Sequence, residues 1–84
     1  MVRTNIEQAA DISPTRRQLA RRVRVLRAVH GWSQETLAEL AGIHRTYISN
    51  IERGRCNVGI ETLDKLARAF NTTAARLLSA RMAQ

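Results

Sequence analysis

The punctuation of this sequence constrains its fold more than any other feature. Residues that stop helices recur at short intervals, at Gly31, Gly42, Gly54 and Asn71. Between them stand residues that favour helix starts: Ser13 followed by Pro14, Ser33, Gly59 and the pair Thr72 and Thr73. A serine or threonine side chain accepts from a backbone N–H that the first turn leaves unpaired, and proline at the first helical position gives up an N–H with no partner there. The stretches between carry apolar residues three and four apart. Leu19, Val23, Leu26 and His30 mark a first helix of about residues 14–29. Leu37, Ala38 and Ala41 mark a second, stopped by Gly42 after roughly two turns, which is short for a globular helix. Ile48 and Ile51 face inward on a third helix over 45–53; Leu63, Leu66, Ala67 and Phe70 follow on a fourth, and Leu77, Leu78 and Met82 on a fifth. No alternating strand pattern or internal repeat competes, so the chain reads as all-α with five helices.

Two short helices joined by a few residues with glycine at the junction make a helix-turn-helix pattern. A chain of 84 residues has room for one domain, here 13–84. Residues 1–12 show little periodicity and are read as a flexible N-terminal arm.

Charge narrows the function. Fourteen basic residues face seven acidic ones, for a net charge of +7, and Lys65 is the only lysine. The arginine fork fits phosphates and guanine edges, so a polyanionic partner is favoured. Cys56 is the single cysteine, which rules out an intramolecular disulfide and suits a reducing compartment. No apolar run is long enough to cross a bilayer, and Glu7 and Asp11 make the N-terminus unlike a secretory signal, so the cytoplasm is the expected location and no membrane partner is expected. His30, His44 and Cys56 lack the pairing of a zinc site or a Cys/His dyad, and no phosphate-binding glycine loop is present. The expectation is a protein with no catalytic residue, metal or cofactor.

Residues 19–78 resemble the phage-repressor-like (lambda-repressor or XRE type) helix-turn-helix family. The resemblance rests on Leu19, Val23 and Leu26-Arg27, on WSQETLAELAGIHRTYISNIERG at 32–54, on GIETLDKLARAF at 59–70 and on Leu77-Leu78, all in register. Within the family, HRTYISNIERG is most similar to controller proteins of restriction–modification systems. The resemblance implies a five-helix lambda-repressor-like domain in which helices 2 and 3 form the helix-turn-helix and helix 3 enters the major groove.

The residues fit that role. Gln34 begins the second helix, where free N–H groups and the helix dipole favour an anion, and the family's matching glutamine grips a DNA phosphate. Ser33, Tyr47, Arg53 and Arg55 are the other expected phosphate contacts, the tyrosine through its hydroxyl. Arg45, Thr46, Ser49 and Asn50 are expected at base edges, with a phosphate as the alternative partner of Asn50. An arginine fork matches guanine N7 and O6, and the Thr46 methyl suits a thymine methyl. His44 is expected to cap. The resemblance implies a partly buried ion pair between Arg27 and Glu52, joining the first helix to the end of the third.

Leu19, Val23, Trp32, Leu37, Ile43, Ile51, Leu63, Leu66 and Phe70 are expected in the core. Val58 and Gly59 stand where the family commonly has proline and a hydroxyl cap, so a looser turn into the fourth helix is expected. Val25, Val29 and Leu40 are apolar where the family is polar, which fits either scattered surface residues or packing for the arm or a second subunit. A homodimer is expected through Leu77, Leu78 and Met82, because one helix-turn-helix reads only a few base pairs. The expected partners are an operator in double-stranded DNA, a second copy of the chain and, at a promoter, RNA polymerase. The competing reading is an antitoxin-type protein-binding module that autoregulates its operon.

Overall fold

The computed structural model describes residues 13–79, so the expected arm and Met82 lie outside the described residues. Five helices account for most of what lies between: α1 (Pro14–His30), α2 (Gln34–Ala41), α3 (Arg45–Glu52), α4 (Ile60–Ala69) and α5 (Ala74–Leu78). The long α1 packs against α3 and α5, α2 packs against α3 and α4, and α4 packs against α5. No helix among the described residues is long and apolar enough to cross a membrane.

The starts follow the sequence closely. Ser13 Oγ accepts from the Arg16 N–H at 3.2 Å and Ser33 Oγ accepts from Thr36 N–H at 3.0 Å. His44 caps α3, its Nδ1 accepting from the Thr46 N–H at 3.4 Å. Thr73 caps α5, and Gly59 starts α4 with no side-chain bond. Beside that uncapped start, Leu19, Val58, Leu63 and Leu78 line part of a cavity of about 320 Å³.

Four of the described residues are left-handed, and two of them set the turn inside the helix-turn-helix and the turn into the last helix. Gly42, at φ 72°, turns α2 toward α3, and the N–H groups of Gly42 and Ile43 both donate to the Ala38 carbonyl at 2.9 Å. A side chain there would be strained by backbone conformation alone, since no atom lies within 4 Å of where a Cβ would sit. Asn71, at φ 58°, is the one non-glycine residue with positive φ among the described residues, and it breaks the chain between α4 and α5. Asparagine tolerates this region better than most residues.

Val23, Leu37, Ile48, Ile51, Leu66 and Leu77 are the most completely enclosed side chains, and they come from all five helices. Trp32 stands at the edge of this core rather than within it. Its ring stacks on His30 at 4.2 Å and on Phe70 at 5.6 Å between centroids. Val25 is half-buried, whereas Val29 and Leu40 are exposed, and so is Ile60 on α4. Arg22 is buried on the α1–α5 side and donates through Nη2 to the Ser79 carbonyl at 3.2 Å.

The expected subunit contact needs correction at Leu77. With 0% exposure, its side chain is spent inside its own chain's core and has no surface left for a partner. A five-residue helix cannot hold itself together, and Leu77 is what anchors α5 to the rest. Truncating Leu77 to alanine is expected to cost about 2–5 kcal/mol, seen as a lower urea midpoint. An unchanged midpoint together with weakened self-association would return Leu77 to a subunit contact.

Candidate nucleic-acid interface

The third helix has two unlike faces. Ile48 and Ile51 point into the core, while Arg45, Thr46 and, past the helix end, Arg53 are exposed. Ser49 and Asn50 lie between, half-buried. The outer face is therefore polar over its whole length. Its N-terminal end lies beside the start of α2: Arg45 Nη1 donates to Gln34 Oε1 at 3.2 Å, and Arg45 Nε stands 3.6 Å from Glu35 Oε2. Both members of that ion pair are largely exposed, so it holds Arg45 only lightly. The N–H groups of Gln34 and Glu35 stand in the first turn of α2, where backbone donors have no carbonyl one turn earlier and the helix dipole favours an anion.

Behind this surface lies the Arg27–Glu52 pair. Arg27 Nε donates to Glu52 Oε2 at 2.6 Å and Nη2 donates to Oε1 at 3.0 Å, a two-pronged contact. The Glu52 side chain is 5% exposed and that of Arg27 24%. Hydrogen bonding to Glu52 holds the Arg27 guanidinium above its ordinary pKa, against the opposing effect of desolvation. Three further bonds tie the pair to its surroundings. Arg27 Nη1 donates to the Trp32 carbonyl at 2.9 Å, Gln34 Nε2 donates to Glu52 Oε1 at 3.0 Å, and Arg24 Nη1 donates to the Glu52 backbone carbonyl at 2.6 Å. Glu52 thus joins α1, the head of α2 and the end of α3 in one network.

Two expected phosphate contacts are placed differently from their sequence reading. The Gln34 carboxamide is engaged inside the protein by Glu52 and Arg45, which leaves the remaining N–H of the amide and the backbone for an anion. The Tyr47 hydroxyl, expected at a phosphate rim, instead donates to the Asn57 carbonyl at 3.2 Å. A phenol has one O–H, so Tyr47 cannot donate to a phosphate while it holds the loop. Asn57 is also the partner of Arg16 Nη2 through its side-chain oxygen. Ser33, Arg53 and Arg55 are exposed, Ser33 beside α2 and the two arginines just past α3. No sequence signal marks Arg16 or Arg24. Their bonds run to a loop side chain and to a carbonyl, which periodicity does not reveal.

Cys56 is half-buried, and burial pushes its thiol up in pKa, partly offset by Arg16. The sign matters: a raised pKa leaves the sulfur protonated at neutral pH, which makes it a poor nucleophile.

A helix-turn-helix family model matches residues 23–77, which run from the middle of α1 through Leu77 and include the whole surface just described. The chain belongs to the helix-turn-helix family. It is 49% identical over 61 residues to control protein C.SmaI of Serratia marcescens, a match covering 73% of each chain. Among solved structures it is similar to the hypothetical transcription factor NHTF from Neisseria, with a TM-score of 0.76 at 40% identity over 82% of this chain and 79% of that one. The restriction-modification controller protein C.AhdI from Aeromonas hydrophila gives a TM-score of 0.71 at 40% identity, over 74% of this chain and 94% of the other. Family and subfamily resemblance both agree with the reading from the 32–54 string.

Removing Glu52 alone strands Arg27 partly buried without its counter-charge, and Glu52→Ala is expected to cost roughly 2–4 kcal/mol, moderated by the partial exposure of Arg27. Replacing both partners by apolar residues, as Arg27→Met with Glu52→Leu, is expected to cost less than either single loss. Urea denaturation of Arg27→Met, Glu52→Leu and the double variant decides it, and a double variant as unstable as the sum of the two singles contradicts this account.

Proposed function

We propose that this chain is a sequence-specific transcription regulator that inserts α3 into the major groove of operator DNA, acting as a homodimer in the manner of a restriction–modification controller protein. The observation that carries the reading is the two-faced α3: a buried Ile48–Ile51 face locked to the core, and a polar face led by Arg45 and Thr46 beside the anion-favouring head of α2. Arg45 and Thr46 meet base edges first, with Ser49 and Asn50 behind them; Ser33, the Gln34 backbone, Arg53 and Arg55 hold phosphates and set the register. To reach guanine, Arg45 leaves Glu35, an exchange that costs little because the pair is exposed. The net charge of +7 supports a strongly salt-dependent, phosphate-driven component of affinity.

One such motif spans only a few base pairs, so specific affinity calls for two copies on a two-fold site with half-sites about one DNA turn apart. Leu78, half-buried on α5, and the exposed Ile60 on α4 are available for that contact among the described residues, and Leu77 supports it from within. At a promoter the bound dimer blocks or recruits RNA polymerase.

Selection of bound sequences from a random duplex pool tests the reading. The wild type is expected to yield a two-fold symmetric motif, and Arg45→Ala with Thr46→Ala to lose that motif while retaining salt-sensitive binding. Absence of any motif from the wild type, or one the double variant leaves intact, sinks groove reading by α3.

A further inference from the structure

A helix lying in a major groove has a phosphate backbone along each of its flanks. The head of α2 stands on one flank of α3, the side marked by Arg45, which leans on Gln34 and Glu35. Tyr47 comes two residues later, about 200° around a helix of 3.6 residues per turn, and so marks the opposite flank. Its hydroxyl donates to the Asn57 carbonyl at 3.2 Å, and the Asn57 side-chain oxygen accepts from Arg16 Nη2 on α1. Three elements far apart in sequence therefore meet at Asn57, across α3 from α2. Arg16 also opposes the rise that burial imposes on the Cys56 pKa, which puts its positive charge beside the same loop. The cavity of about 320 Å³ has Arg16, Asn57 and Val58 in its wall, so this part of the loop rests on open space and is held by its two bonds at Asn57.

We infer that Arg16, held against Asn57, is a phosphate contact on the flank of α3 opposite α2, and that Asn57 joins it through its amide N–H groups. The inference rests on α3 occupying the groove, because that placement brings the second phosphate strand along this flank. The donors are at hand. A guanidinium has five N–H groups, of which Arg16 gives one to Asn57, and a carboxamide that accepts through its oxygen keeps both of its own. Asn57 is exposed and Arg16 half-buried, so the pair stands at the surface. An arginine already tied at one nitrogen has less freedom to lose on binding than an untethered one. Tyr47 acts from behind: its hydroxyl fixes the loop that presents Asn57. Phosphate contacts of this kind carry no sequence information directly. Arg16 therefore adds affinity to operator and random DNA alike.

The test is the salt dependence of binding to the selected operator and to random duplex. The proteins are the wild type, Arg16→Gln, Asn57→Ala, the two combined, and Arg68→Gln on α4 as a control of equal charge. Each lost phosphate contact removes about 0.9 from the slope of log K against log salt. Arg16→Gln is expected to lose about that much on both DNAs and to select the wild-type motif unchanged. Asn57→Ala keeps the net charge but releases Arg16. In that background Arg16→Gln is expected to remove less than roughly half as much slope. Arg16→Lys keeps the charge and is expected to restore most of the slope. Should Arg16→Gln melt below the assay temperature, Arg16→Met, which keeps the aliphatic stem, takes its place with the same expected loss. An unchanged slope overturns the contact. An equal fall in Arg68→Gln also overturns it, because the effect then reflects net charge alone. Strict additivity of Arg16→Gln and Asn57→Ala overturns it too, because Asn57 then does not hold Arg16. Should the wild type select no motif, the groove reading itself fails, an outcome distinct from a wild type that selects a motif while Arg16→Gln leaves the slope intact.

Discussion

The Glu52 carboxylate holds this structure in its working geometry. It sits at the last position of an eight-residue helix, almost sealed from water, and takes bonds from Arg27 on α1 and Gln34 on α2, while Arg24 secures its backbone carbonyl. An isolated helix of eight residues is not stable in water. The orientation of α3 must therefore come from what it is attached to. The core fixes the helix through Ile48 and Ile51, but apolar packing alone leaves an axis free to roll by several degrees. A two-pronged guanidinium–carboxylate contact does not, because both bonds fail together when either partner rotates. Desolvation offsets much of the attraction in such a pair, so its contribution is angular definition more than net stability.

Most of the fold was legible because its boundaries are encoded locally. Ser13-Pro14, Ser33, Gly42, Gly54 and Asn71 each act within a few residues of themselves, and the structure places a helix end within about two residues of each. His44 as a cap belongs to the same class of local signal. The division of α3 into inner and outer faces follows from periodicity alone. Leu77 illustrates where that reasoning stops. Periodicity identifies the apolar side of a helix but not whether that side meets its own chain or another copy, and in α5 it meets its own chain.

The interface was legible at the level of which elements form it and less so at the level of individual bonds. Arg27 with Glu52 was read from resemblance to a family, not from spacing. Tyr47 and Asn57, Arg24 and the Glu52 carbonyl, and Gln34 between Glu52 and Arg45 are all contacts between elements far apart in sequence. Two of them end on a backbone carbonyl, which every residue has and which no motif marks. A polar side chain in a recognition region has a small number of donors, and those the protein itself uses are subtracted from what a ligand can receive. That subtraction depends on tertiary distances, and in this structure it places the Tyr47 donor on the Asn57 carbonyl.

The arginines show the same chemistry put to separate uses by burial. Arg22 is buried and Arg27 partly buried, and both are bonded to acceptors of the protein itself; Arg45 lies on an exposed edge with a weak partner; Arg21, Arg53 and Arg55 face water. A guanidinium with five donors can satisfy a structural acceptor and still offer nitrogens to a ligand, an option lysine's compact ammonium group serves less well. In a domain this small, the groups that define geometry and those that meet the ligand are necessarily neighbours. Arg24 is bonded to the end of α3 and still exposed along α1. A composition of thirteen arginines to one lysine follows naturally from that double demand. The excess of positive charge therefore reflects how the interface is built as well as the charge of what it binds.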